Sequence, residues 1–191
     1  MTPVDSLGPS DPKDSRGGYC VWLTGISAAG KSTIANHLAH HLAGGRRVVE
    51  VLDGDAVRSY ISPELGFSRG DRDLNVKRVA WVASRLVRAE VAVVVALMSP
   101  FAEGRRYARS LIEDFGPFIE VLVDTPVEVC IERDPKGLYR RALAGELTDM
   151  VGLDIPYEHS QDEVVRIVAA GRSPGESASE VLSHLASRGL I

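Results

Sequence analysis

Residues 25–33 read GISAAGKST and join an apolar run, YCVWLT at residues 19–24, to a segment with helical spacing, IANHLAHHLA. The stretch fits the pattern G-x-x-x-x-G-K-[ST], which cradles phosphate groups where it follows a strand and opens a helix. The four residues that define the pattern are Gly25, Gly30, Lys31 and Ser32. We therefore predict a nucleotide-binding site at this turn, and we call residues 25–33 the nucleotide loop.

Each residue type in the nucleotide loop has a chemical reason. The two glycines permit backbone angles that aim amide N–H groups at phosphate oxygens. Lys31 is expected to bridge the β- and γ-phosphates of ATP, and the Ser32 hydroxyl is expected to help hold Mg²⁺. The candidate nucleotide contacts are Gly25, Ile26, Ser27, Ala28, Ala29, Gly30, Lys31, Ser32 and Thr33. The alternative is a turn that binds nothing, but such a turn does not require lysine followed by two hydroxyl residues.

Composition and charge narrow the class of protein. The chain has 191 residues, 45% of them hydrophobic and 25% charged, with a net charge of −4. These values fit an ordinary globular protein and argue against a strongly basic nucleic-acid-binding chain. No apolar run reaches the roughly 20 residues that span a bilayer. Residues 1–17 are rich in Pro, Gly, Ser and charge and lack the apolar core of a signal peptide, so we expect a disordered leader, one domain at residues 18–191 and a cytoplasmic protein.

Five apolar segments predict the strands of a parallel sheet. They cover residues 19–25, 48–54, 91–99, 118–126 and, more weakly, 164–171. Between them lie segments with helical spacing, such as Ile34, Leu38 and Leu42. This alternation indicates an α/β fold, a three-layer sandwich in which helices cover both faces of a parallel sheet of about five strands. Residues 133–160 are rich in charge and glycine and predict an inserted lid, which we call the lid segment.

A second group of polar residues follows the second predicted strand. Asp53 and Asp55 come at its carboxyl end, where open α/β sheets bind ligands. We expect Asp53 to organise Mg²⁺ with Ser32, and Asp55 to accept or orient the proton of an attacking hydroxyl. Arg58 follows Asp55 by three residues and is expected on the same side of a starting helix. The alternative is an Asp-Gly turn with a capping aspartate.

The segment GFSRGDRDLNVKR, residues 66–78, carries groups suited to a flat base beside an anion. Phe67 offers an aromatic face, Arg72 offers planar paired donors, and Asn75 offers both a donor and an acceptor. Each of them alone could be an ordinary core or surface residue. Together with the nucleotide loop they predict a pocket for a second ligand.

Six segments resemble adenylylsulfate kinase (APS kinase) in order and spacing, and the resemblance covers about residues 19–187. They are GISAAGKST, LDGDAVR, LGFSRGDRDLNVKR, MSPF, ERDPKGLYRRALAGEL and GLDIPYE. The resemblance implies a P-loop kinase fold that uses ATP and Mg²⁺ and transfers phosphate to the 3′-hydroxyl of adenosine 5′-phosphosulfate (APS). The products would be PAPS and ADP. The resemblance also implies a homodimer and a mobile lid.

The resemblance assigns expected roles to individual residues. The acceptor contacts that it implies are Asp55, Arg58, Phe67, Arg72, Asn75, Met98, Ser99, Lys136, Leu138 and Met150. Ser99 matches a serine that is sometimes described in the family as a phosphorylated intermediate and is therefore a candidate catalytic residue, with Lys31 and Asp55. We favour direct in-line transfer, because a loop that positions donor and acceptor needs no covalent relay.

The lid segment begins with a basic group that could meet the nucleotide. Its members are Arg133, Lys136, Arg140 and Arg141. They are suited to close over phosphates and to neutralise developing charge, and Arg133 is the expected nucleotide contact. The alternative is a charged lid helix whose basic residues only face solvent and bind no ligand.

The chain departs from the family pattern mainly on the acceptor side. Met150 stands where the lid normally supplies an aromatic ring that sandwiches adenine against Phe67, so a two-sided aromatic stack is lost. The other departures are Ala28, Ala102, Gly104 and Ile155. Two alternatives therefore stay open. One is a related phosphotransferase that acts on another nucleoside or a specialised metabolite, and the other is a nucleotide-binding module without turnover.

Overall fold

The computed structural model describes residues 17–44, 47–162 and 164–191. The predicted leader, residues 1–17, lies outside them apart from its last residue. The described residues contain a parallel sheet of five strands in the order β2-β3-β1-β4-β5. The strands are β1 (Tyr19–Thr24), β2 (Val49–Asp53), β3 (Ala92–Ala96), β4 (Phe118–Asp124) and β5 (Val165–Val168). All five lie within the predicted segments.

Helices cover both faces of this sheet, which confirms the predicted three-layer α/β fold. They are α1 (Lys31–Ala43), α2 (Gly54–Tyr60), α3 (Arg69–Arg88), α4 (Ala102–Glu113), α5 (Val127–Arg133), α6 (Leu138–Leu143) and α7 (Pro174–Ser187). Every residue of β1 is buried, because alternate side chains of this central strand enter opposite cores. Val21 and Leu23 pack in the core with α1 and α7, whereas Cys20 and Trp22 pack in the core with α3 and α4.

The predicted helical spacing of the first helix is confirmed. Ile34, Leu38 and Leu42 lie on the buried face of α1. The helix begins directly after Gly30, which has a φ of 108°. This left-handed conformation is one that glycine adopts without steric cost. The sharp turn directs the start of α1 at the carboxyl edge of the sheet, where the nucleotide loop lies.

The third strand is shorter than predicted. The apolar run extends to residue 99, but β3 ends at Ala96. Beyond it, the Thr24 hydroxyl donates to the Met98 carbonyl at 2.7 Å, and Ser99 has a φ of 37°. The chain therefore turns out of the sheet at its carboxyl edge.

The lid segment contains α6 and an isolated bridge between Val151 and Ile155. Its side chains Tyr139, Met150 and Val151 are buried. Tyr139 and Met150 belong to the core cluster that also contains the buried face of α1. The mobility of the lid segment stays a prediction. Among the described residues, no helix combines the length and apolar character that a membrane crossing requires.

Candidate active site

A cavity of about 860 Å³ opens at the carboxyl edge of the sheet. It brings together most of the predicted site. The predicted residues that line it are Ser27, Ala28, Ala29, Gly30, Lys31, Ser32, Thr33, Asp53, Asp55, Arg58, Phe67, Arg72, Asn75, Met98, Ser99, Arg133, Lys136 and Leu138. Segments that are far apart in sequence therefore share one cavity large enough for a small-molecule ligand.

The nucleotide loop is held around the side chain of Lys31. Its ammonium donates to the carbonyl of Gly25 at 2.9 Å and to the carbonyl of Ile26 at 2.7 Å. Gly25 is required by sterics, since it has a φ of 136° and a Cβ there would lie 2.6 Å from the Val123 carbonyl oxygen. Gly25 and Ile26 thus hold Lys31 through their carbonyl groups. They are not among the described residues that line the cavity.

Burial changes the acidity of Lys31. Desolvation lowers the pKa of its ammonium to about 8, while the nearby carboxylates of Asp53 and Asp55 act in the opposite direction. A phosphate beside this group would favour the charged form again. Near pH 8, the protonation of Lys31 therefore depends on whether a phosphate is bound beside it.

Ala28 is the residue under backbone strain in this loop. It has a φ of 59°, a left-handed conformation that side chains with a Cβ rarely adopt. Its carbonyl accepts a hydrogen bond from Arg133 Nη1 at 3.2 Å, and the carbonyl of Ala29 accepts another at 3.4 Å. Arg133 at the end of α5 thus holds the strained loop from the lid side and lines the cavity, and its contact with the nucleotide stays a prediction.

Ser32 and Asp53, the two residues expected to hold Mg²⁺, are in direct contact. Ser32 Oγ donates to Asp53 Oδ2 at 2.5 Å, and Asp53 Oδ1 accepts from the backbone N–H of Asp55 at 3.0 Å. Asp53 therefore caps α2 with one oxygen and faces Ser32 with the other. Hydroxyl and carboxylate oxygens are the hard donors that Mg²⁺ prefers, so the pair fits this ion.

Asp55 faces the lid segment across the cavity. Its carboxylate forms an ion pair with Lys136, and both side chains are more than half exposed. Arg58, one turn further along α2, donates to the carbonyls of Leu65 and Gly66, each at 2.9 Å. The proposed base and a lid cation thus already meet at the centre of the site.

The expected acceptor groups cluster around Phe67. This ring is half exposed, and the guanidinium carbons of Arg58 and Arg72 lie 4.6 Å and 5.4 Å from its centroid. Arg72 also donates to the carbonyl of Phe67 at 2.8 Å and to that of Asp149 at 3.0 Å. Asn75 is 3% exposed, and its Oδ1 has no hydrogen-bond partner among the described residues. A buried acceptor without a partner beside a cavity calls for a ligand donor or water.

Met150 does not occupy the predicted stacking position. Its side chain is 4% exposed and lies in the apolar core with Ala29 and Tyr139. Met150 is not among the described residues that line the cavity. An unbranched thioether has no polar atom that needs solvent, so burial in the core is favoured over a position above a ring at the cavity. The predicted contact between Met150 and the acceptor has no counterpart in this cavity lining and stays a prediction.

Ser99 lines the cavity but is only 2% exposed. Its Oγ accepts from Trp22 Nε1 at 3.0 Å and lies 3.0 Å from Thr24 Oγ1. Both contacts come from β1 and hold the hydroxyl in the protein interior. This environment suits a wall residue better than an attacking nucleophile, which must reach its target.

Sequence reasoning missed two sets of residues. One set lines the far end of the cavity and consists of Ala169, Arg172, Pro174 and Ser177. The other surrounds Arg105, which is fully buried and pairs with Glu120 at 2.8 Å. The glutamate in the apolar run FIEVLVD was a usable signal for the second set, because a buried carboxylate requires a partner. No comparable sequence signal marks the first set.

Comparisons with known proteins identify the family to which the chain belongs. A family model described as adenylylsulphate kinase matches residues 17–168. An adenylyl-sulfate kinase of Synechococcus sp. (strain JA-3-3Ab) is 46% identical over 176 residues, which are 92% of this chain and 98% of that protein. The structure of the Mycobacterium tuberculosis APS kinase in complex with AMPPNP and APS aligns with a TM-score of 0.84 and 40% identity, covering 89% of this chain and 98% of that one. A hexameric APS kinase from Thiobacillus denitrificans aligns with a TM-score of 0.71 and 32% identity over 92% of this chain and 30% of that one.

Proposed function

The chain belongs to the adenylylsulphate kinase family, and from that premise we propose that it transfers the γ-phosphate of ATP to the 3′-hydroxyl of APS. The products are PAPS and ADP. The observation that carries the proposal is the single cavity that joins the nucleotide loop to Asp55, Phe67 and Asn75. A donor and an acceptor bound in this cavity would be neighbours, which in-line transfer requires.

On the donor side, the nucleotide loop binds the phosphates of ATP through backbone N–H groups and Lys31. The Lys31 ammonium exchanges its present partners, the carbonyls of Gly25 and Ile26, for phosphate oxygens. Arg133 adds a second positive charge beside the loop. Charge that develops on the transferred group is thereby met by cations already in position.

Ser32 and Asp53 are the residues that would hold Mg²⁺, with Asp53 acting through water. When bound, the ion neutralises phosphate charge and orients the γ-phosphate. The short contact between the two side chains supports the assignment, because their oxygens already converge at the loop.

On the acceptor side, Asp55 orients the 3′-hydroxyl and accepts its proton. Lys136 releases Asp55 for this role and turns to the negatively charged phosphosulfate, which Arg58 and Arg72 also attract. Asn75 supplies the buried acceptor oxygen that lacks a partner among the described residues, and an exocyclic amine of the base can donate to it.

Transfer is direct, and Ser99 forms part of the wall. A covalent phosphoserine would require the Ser99 hydroxyl to leave Trp22 and Thr24 and to carry a dianionic group into a buried site. That step costs desolvation without shortening the path between two substrates in one cavity.

The test is coupled ADP release from the purified protein with Mg-ATP, with and without APS, and with mass analysis of the product. We expect APS-dependent ADP and a product phosphorylated at the 3′ position. ADP release only with another hydroxyl compound would identify a different acceptor. ATP binding without ADP release in any mixture would identify a binding module.

A second candidate function follows from the position of Met150. Because this side chain lies in the core, Phe67 has no partner ring from the lid segment in this structure. A pocket with one aromatic face tolerates acceptors other than adenosine derivatives, such as other nucleosides or hydroxylated metabolites. Competition between APS and such compounds in the same assay distinguishes the two functions.

We also propose that the protein acts in the cytoplasm, where ATP is available, and that it forms a homodimer. Large apolar side chains on α3, Leu74 and Trp81, are 41% and 59% exposed, and burying such groups favours self-association. Light scattering on the purified chain tests the assembly. A hexamer, the state that the Thiobacillus denitrificans structure reports for its own chain, would correct it.

A further inference from the structure

A polar cluster around a buried arginine lies behind the acceptor wall. We call it the Arg105 cluster, and it consists of Arg105, Glu120, Tyr157, Glu158 and Ser160. Arg105 is fully buried and forms an ion pair with Glu120 at 2.8 Å. It also donates to the Glu158 carbonyl and to Ser160 Oγ, and its guanidinium carbon lies 4.9 Å from the Tyr157 ring centroid. Such extensive pairing offsets the large cost of burying a charge.

One arm of the guanidinium reaches the cavity wall. Arg105 Nη1 donates to the Ser99 carbonyl at 2.7 Å. Ser99 has a φ of 37°, and such a conformation persists at a residue with a Cβ only where its surroundings fix it. On the other side of Ser99, Trp22 and Thr24 hold its hydroxyl. Arg105 is therefore one of the contacts that keep this turn in place.

The same cluster reaches the nucleotide loop. The Tyr157 hydroxyl lies 2.9 Å from Thr24 Oγ1, and Thr24 in turn donates to the Met98 carbonyl at 2.7 Å. Thr24 is the last residue of β1 and precedes the nucleotide loop. One set of hydrogen bonds therefore joins the start of the loop, the wall formed by Met98 and Ser99, and the end of the lid segment.

We propose that Arg105 is a positioning residue, which fixes the wall of Met98 and Ser99 relative to the nucleotide loop. Through these contacts it sets the distance between the acceptor hydroxyl and the γ-phosphate. The inference rests on the proposed function, because it requires that the acceptor binds against this wall. Misplacement of a reacting group by about 1 Å costs up to about 100-fold in rate, so a buried residue without substrate contact can govern turnover.

Arg105→Lys is the main variant, because lysine keeps the charge but cannot serve the Ser99 carbonyl, Glu120 and Glu158 at once. We expect kcat to fall about 10- to 100-fold and the KM for the acceptor to rise. Affinity for a non-hydrolysable ATP analogue should change less than about twofold, since the phosphate contacts of the nucleotide loop stay intact.

Tyr157→Phe is the milder variant if Arg105→Lys does not fold. It removes only the hydroxyl that meets Thr24, and we expect a loss in kcat of about threefold to tenfold. Ile112→Ala is the matched control, because Ile112 is fully buried on the same helix as Arg105 and packs in the α3 and α4 core. It should lower Tm and leave both kinetic constants close to those of the unmodified protein.

Hydrogen exchange supplies a readout that needs no turnover. In Arg105→Lys, amide protection should fall in peptides that cover residues 97–101, with α1 unchanged and with no such effect in Ile112→Ala. If Arg105→Lys and Tyr157→Phe lower Tm but match Ile112→Ala in kinetics and exchange, the positioning role is overturned. If the unmodified protein does not phosphorylate APS, the proposed function fails, and the exchange result still decides whether Arg105 holds the wall.

Discussion

The donor half and the acceptor half of the cavity are built in different ways. The residue types of the donor half are those of one continuous motif, GISAAGKST, in which Lys31 donates to the carbonyls of Gly25 and Ile26. Arg133 and Tyr139 of the lid segment also donate to carbonyls of this loop, those of Ala28 and Ser27. The acceptor half draws on α2, α3, the chain after β3 and the lid segment. Its wall depends on contacts between residues as far apart as Trp22 and Ser99. A continuous motif therefore identifies the first half in the sequence, whereas the second half is assembled from residues that only the fold brings together.

The largest expected effect comes from the acceptor half. Asp55→Asn removes the proposed base and keeps the shape of the side chain, so kcat should fall about 10²- to 10⁴-fold. ATP affinity should change little, because the nucleotide loop does not contact the carboxamide. Steady-state kinetics and titration with a non-hydrolysable ATP analogue measure the two quantities.

Lys136→Met is the matched control for Asp55→Asn. It also breaks the ion pair between Lys136 and Asp55, but it leaves the carboxylate in place. We expect a higher KM for the acceptor and a smaller loss in kcat than in Asp55→Asn. Equal losses in the two variants would mean that the ion pair, and not the base, is what catalysis requires.

The next effect belongs to the donor half and concerns the proton of Lys31. Burial lowers the pKa of this ammonium to about 8 in the absence of ligand, and bound phosphate raises it again. Below about pH 8 the lysine is protonated in both the free and the ATP-bound protein, so ATP affinity does not change with pH. Above it, the free protein has lost the proton and binding must take one up, so affinity falls by up to about tenfold per pH unit.

Calorimetry measures this linkage directly. At about pH 8.5, ATP titrations in two buffers with different ionisation enthalpies should give different heats of binding. The difference should correspond to the uptake of most of one proton. Lys31→Met, which cannot titrate, should show no such difference. Identical heats for the unmodified protein in both buffers would contradict the lowered pKa.

A smaller effect tests the position of Met150. Because its side chain is buried in the core, Met150→Phe adds a rigid ring to a packed site and should lower the free energy of unfolding by about 1–3 kcal/mol. The KM for APS should not improve. Chemical denaturation and acceptor kinetics check the two outcomes, and a lower KM with unchanged stability would mean that residue 150 reaches the acceptor after all.

The same contrast explains what could be predicted from the sequence. Strand order aside, the fold follows from apolar periodicity and from the nucleotide loop, whose residues are neighbours in sequence. Met150 was assigned to the cavity from its place in a motif, but its location depends on the volume available in the core around Ala29 and Tyr139. The contact between Arg105 and the Ser99 carbonyl was equally inaccessible, because no local pattern encodes which distant carbonyl a buried guanidinium meets.

The smallest effect concerns the backbone of the donor half. Ala28 has a φ of 59°, so Ala28→Gly removes the steric cost of a Cβ in the left-handed region, and the greater freedom of glycine in the unfolded chain offsets part of this gain. We expect the free energy of unfolding to rise by about 0.5–1 kcal/mol, measured by chemical denaturation. Ala39→Gly, in the middle of α1, is the control and should lower stability, because helical backbone gains nothing from glycine. If both variants lose the same free energy of unfolding, Ala28 is not strained, and the donor half stores no backbone strain at this position.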